Sequence, residues 1–118
     1  MSVISDLVAT PGVIAAGEYT YRGDRFTYDG QLDYETARMA SIMCRATTMA
    51  VHMETDMLKH LKADCGCAPA RGWVVRGDKM TVCVMANVFC FIDNANGSLN
   101  DIMAYLREHV ESSETMLV

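Results

Sequence analysis

From Tyr34 to about Lys62 the chain contains neither glycine nor proline. The segment is rich in Met, Ala and charged residues, and it predicts one continuous helix of about seven to eight turns. Asp33 is placed to cap it, with Glu35 in the positive first turn. Leu32 and Ala37 are placed to staple its entry. Whatever this chain folds into must accommodate a helix as long as a small domain is wide.

The remaining elements are read around that helix. Ser2 caps a short helix whose apolar face holds Val3, Ile4, Leu7 and Val8, and Pro11-Gly12 ends it. Residues 13–21 read as a strand with Tyr19 and Tyr21 on one face. Gly23-Asp24 offers a turn, and residues 25–29 return as the second strand of a hairpin. After the long helix, Ala63 to Arg71 form a loop. Strands follow over 73–76, 81–85 and 88–92, separated by turns at Gly77-Asp78 and Ala86-Asn87. The nearly continuous apolarity of the last two predicts strands buried on both faces. Ser98 caps a final amphipathic helix with Leu99, Ile102, Met103, Leu106 and Val110 on one side. Residues 1–111 therefore read as one domain, and 112–118 as a tail expected to fray.

This order of elements, with Pro-Gly-Val-Ile-Ala-Ala-Gly at 11–17, Leu-Asp-Tyr-Glu-Thr-Ala at 32–37 and Gly-Trp-Val-Val at 72–75, resembles the roadblock (dynein light chain) family. More narrowly, it resembles an uncharacterised bacterial subgroup of roadblock-like proteins. The resemblance covers nearly the whole chain and concerns fold, because none of these segments is a catalytic signature. It implies an α+β domain: a five-stranded antiparallel sheet with the long helix on one face and the two terminal helices on the other. It also implies homodimers or heterodimers that scaffold or regulate small GTPases without hydrolysing nucleotide themselves.

Composition narrows the function further. With 51% hydrophobic and 21% charged residues the chain is globular in character. The net charge is −5 and no Lys/Arg run exists, which disfavours nucleic acid and anionic membranes as partners. No secretory signal and no membrane span is legible, and five cysteines without a disulfide framework fit a reducing cytoplasm. A phosphate-binding loop would need Gly-x-x-x-x-Gly-Lys-Ser/Thr, and no lysine has that setting. No Gly-x-Ser-x-Gly elbow occurs either. The expected protein is not an enzyme and carries no cofactor or metal.

Cys65-Gly66-Cys67 is not part of the general family pattern. Two thiolates so spaced, with His60 upstream, can share a soft metal or act as a thiol site, though a closed zinc site wants four ligands. An ordinary loop explains them as well. They support the alternative of a thiol or metal accessory protein in a redox or sulfur-handling complex. Cys44, Cys83 and Cys90 lie in apolar stretches and read as core. His52 and His109 stand alone in helices, where a histidine is ordinarily satisfied or solvated. Asp24, Asp29 and Asp33 are explained by turns and a cap.

The long helix itself carries the interaction reading. Around its axis, starting from Ala37, apolar residues occupy an arc roughly twice the 100° a single sheet can cover. Arg38, Arg45, His52, Asp56 and Lys59 form the expected wet stripe. The methionine-rich side, through Met39, Ile42, Ala46, Met49, Met53 and Met57, is assigned to the sheet. Ala40, Met43, Thr47 and Ala50 are assigned to a homodimer seam between two antiparallel copies.

Overall fold

The computed structural model describes residues 2–66 and 70–110. Its elements in chain order are α1 (Val3–Ala9), β1 (Val13–Tyr19), β2 (Phe26–Gly30), α2 (Tyr34–Leu61), β3 (Gly72–Arg76), β4 (Met80–Met85), β5 (Val88–Asp93) and α3 (Leu99–His109). Each helix starts where a capping side chain was expected. Ser2, Asp33 and Ser98 each accept from the backbone N–H three residues on, satisfying a donor that the helix itself cannot. The tail at 112–118 lies outside the described residues.

The five strands form one antiparallel sheet in the order β2-β1-β5-β4-β3. β4 and β5 are central, and alternate residues serve opposite faces. Cys83 and Met85, then Val88, Cys90 and Ile92, look toward α1 and α3, where they meet Leu7, Ile102 and Leu106. Val84 and Phe89 look toward α2, where they meet Tyr19, Ala40 and Cys44. This two-sided burial is why these strands read as unbroken apolar runs.

β1 stops at Tyr19, two residues short of the expected end. The reason is local: the Thr20 hydroxyl accepts from the Asp24 and Arg25 backbone N–H groups and donates to the Asp24 carboxylate. The side chain thus closes a turn before the strand can continue. Gly17 has a packing reason. A Cβ there would lie 2.5 Å from the Phe89 ring, so the missing side chain makes room for the largest fully buried residue.

Candidate interaction face

α2 has 28 residues, a length of roughly 42 Å at helical rise, and the molecule's longest dimension is 41 Å. The helix therefore runs the length of the molecule. Its buried residues are Ala37, Ala40, Ser41, Cys44 and Thr48, all small and all on one narrow stripe. The sheet supplies the bulk at this contact through Tyr19, Phe26, Tyr28, Trp73, Phe89 and Phe91. Large residues below and small ones above let helix and sheet approach closely without voids.

This corrects the expected orientation of the helix. The methionine-rich side does not face the sheet. Met39, Ile42, Met43, Met49, Met53, Met57 and Leu61 are all at least half exposed, with Met53 at 73%, and Leu58 is exposed as well. The expectation matched the bulkiest helix residues to the core, whereas the aromatic strands had already supplied that bulk. The wet stripe is also displaced. Arg45 and His52 are half-buried, because they flank the small residues that touch the sheet. Of the four residues assigned to a dimer seam, Ala40 packs against this chain's own sheet and is 8% exposed. Thr47 is half-buried at the helix flank, and Met43 and Ala50 are exposed.

One hydroxyl ties α2 to the sheet. Thr48 Oγ1 accepts from Trp73 Nε1 at 2.8 Å and shares a 2.8 Å hydrogen bond with Tyr19 Oη. Burial raises the Tyr19 phenol well above its ordinary range. Burial also pushes Tyr21 up to about 12, and its hydroxyl is buried without a hydrogen-bond partner. Cys44 is raised to about 12 by burial, so this thiol is protonated and inert at neutral pH. Cys83 and Cys90 are paired across β4 and β5 and wholly buried, as expected of core residues.

Beside α2, toward the β3 edge, the sheet is left bare. Met39, Met43 and Thr47 on the helix and Trp73, Val75, Val82 and Phe91 on the strands line an apolar groove of about 470 Å³. β3 closes that side of the sheet and is itself exposed at Val74 and Val75. An edge strand of this kind presents unpaired backbone groups next to apolar surface. From Asp56 to the end of α2 every residue is exposed, so the last turns project past the sheet.

Cys65 lies in the bend after α2, and Cys67 lies outside the described residues. Among the described residues no three His, Cys, Asp or Glu side chains converge as a metal site would require. Asp24, Asp29 and Asp33 spend their carboxylates on turn and cap hydrogen bonds. Among the described residues no helix is long and apolar enough to cross a membrane.

A five-stranded antiparallel sheet with one long helix on one face and two short helices on the other is the roadblock-like arrangement. The crystal structure of a Roadblock/LC7 domain from Streptomyces avermitilis is similar over 91% of this chain and 93% of that one, with a TM-score of 0.57. The two are 17% identical, so the likeness is one of fold. The chain itself belongs to the family described as uncharacterized conserved protein (DUF2173), whose profile matches residues 3–108. A comparison with curated proteins finds no match.

Proposed function

We propose that this protein is a non-catalytic interaction module that self-associates through the uncovered side of α2 and the adjoining β3 edge. The observation that carries this reading is the row of exposed large apolar residues along α2 beside a bare apolar groove. Contiguous apolar surface of this kind is uncommon on monomers and ordinarily marks an interface. A second copy answers it in kind. Two α2 helices packed antiparallel about a two-fold axis would bury each other's methionines, which adapt readily to irregular contacts. The seam then passes through Met43, Thr47 and Ala50 as first expected and extends over Met39, Met49 and Met53. Ala40 remains with its own sheet.

Light scattering at micromolar concentration tests this directly, with twice the chain mass as the expected result. The roadblock resemblance supports a further step, in which the dimer scaffolds or regulates a small GTPase-like protein in the bacterial cytoplasm. Affinity capture from native cells followed by mass spectrometry should then recover a P-loop GTPase. Recovery of redox or sulfur-handling proteins would instead favour the thiol reading of Cys65 and Cys67.

A further inference from the structure

The other flank of α2 has the opposite chemistry. A second cavity, about 280 Å³, opens between the first half of the helix and the β1–β2 turn. Arg25, Arg38 and Arg45 stand on its wall with Phe26, Tyr34 and Ser41. In a chain of net charge −5 with ten Lys and Arg residues, four arginines gather here once Arg22 at the rim is included.

Their settings differ in a way that suits a ligand. Arg45 Nε donates to the Tyr21 carbonyl at 2.6 Å, which fixes the guanidinium and leaves its terminal nitrogens for another acceptor. The group lies against Gly23, where a Cβ would come within 3.0 Å of it and the backbone has φ +81°. Glycine thus creates the space that Arg45 fills. Arg38 is held by Glu35 one helical turn back. The Arg25 side chain makes no hydrogen bond or ion pair among the described residues. Asp24 is the acid on the wall, and both its oxygens are engaged, by Thr20 at 2.6 Å and by Arg22 at 3.4 Å. Hydrogen bonding from Thr20, then the charge of Arg22, holds its carboxyl below the usual range, so it stays ionised. With Arg22 paired to Asp24 and Arg38 to Glu35, Arg25 and Arg45 leave the cavity two charges positive. Phe26 and Tyr34, with ring centres 5.5 Å apart, add an aromatic side to it.

We infer that this cavity binds a small phosphate monoester with an apolar or aromatic body. A phosphate monoester carries close to two negative charges at neutral pH, which matches the wall, and guanidinium forks suit its oxygens. Pockets of this size sit at the small end of ligand sites, so the body is smaller than a full nucleotide. This site is separate from the apolar groove and does not depend on self-association.

The test is a titration of the intact protein with phenyl phosphate, inorganic phosphate and benzoate at physiological salt, followed by amide NMR shifts. Saturable shifts at residues 20–26 and 34–45 are expected with phenyl phosphate, with binding several-fold weaker for the other two. Arg25→Gln and Arg45→Gln should each weaken phenyl phosphate about tenfold, the scale of a charge-assisted hydrogen bond. Arg76→Gln, on β3, should change nothing. Arg25→Gln breaks no hydrogen bond or ion pair among the described residues, so it reports on binding even if Arg45→Gln perturbs the turn. No saturable shift, or shifts unaffected by Arg25→Gln, would overturn the site. Benzoate binding as tightly would overturn the dianion assignment, and inorganic phosphate binding as tightly would overturn the role of the aromatic wall.

Discussion

The two faces of the sheet solve the burial problem differently. On the α1 and α3 face, large residues meet large residues within one chain, and Leu7, Ile102 and Leu106 are almost wholly buried. On the α2 face the strands contribute the aromatic bulk and the helix contributes Ala37, Ala40, Ser41, Cys44 and Thr48. The first face is closed. The second is closed only beneath the helix, and the bulky residues of α2 are left exposed. The large residues of α2 are thus the uncovered apolar surface of the domain.

Substitutions should separate the two faces, and the closed face should show the largest effect. Leu106→Ala removes a fully buried side chain from the α3 contact and should cost about 2–5 kcal/mol in urea unfolding, whatever the protein concentration. Met53→Glu, on the open face, should cost stability in a way that depends on concentration, because only a dimer feels it. If Leu106→Ala cost less than about 1 kcal/mol, well under the range for such truncations, the contrast between the faces would fail.

The hydroxyl that joins α2 to the sheet should come next. Thr48→Val strands the Trp73 N–H and the Tyr19 hydroxyl and should cost about 1–3 kcal/mol. Thr48→Ser keeps the oxygen and should recover most of that loss in thermal melting. Equal losses for Val and Ser would place the effect in packing rather than in the hydrogen bonds.

The smallest effect belongs to Tyr21. Its hydroxyl is buried without a partner, so Tyr21→Phe should be neutral or stabilising, by less than about 1 kcal/mol. The same phenol has its folded pKa raised from 10.0 to about 12 by burial. A raised folded value means that the stabilisation is complete below pH 10 and is lost as pH rises toward 12. Denaturation midpoints measured across that window should fall less steeply for Tyr21→Phe than for the wild type.

Much of the architecture was legible in the sequence because its signals are local. Ser2, Asp33 and Ser98 announce the helices, and the unbroken apolar runs of β4 and β5 announce strands buried on both sides. The orientation of α2 was not legible, because it depends on a sum across elements. Helical periodicity shows that Met39, Met49 and Met53 share a side. It cannot show that Trp73, Phe89 and Phe91, far away in sequence, already fill the space those methionines would need. The basic cavity was missed for the same reason. In sequence Arg25 begins a strand and Arg38 and Arg45 belong to a solvated stripe, and only the β1–β2 turn brings them together. Gly23 was a signal of a turn, but its space for Arg45 appears only in three dimensions.

The central claim is that the uncovered side of α2 is a seam between two copies of this chain. Sedimentation equilibrium of the wild type beside the double variant Met43→Glu, Met53→Glu tests it most directly. Both positions are exposed in the single chain, so the substitutions leave the fold and its circular dichroism intact. The account predicts a wild-type dimer at micromolar concentration and a folded monomer for the variant, whose charges cannot be buried in an apolar seam. A wild type that sediments as a folded monomer, or a variant that remains a dimer, would contradict it.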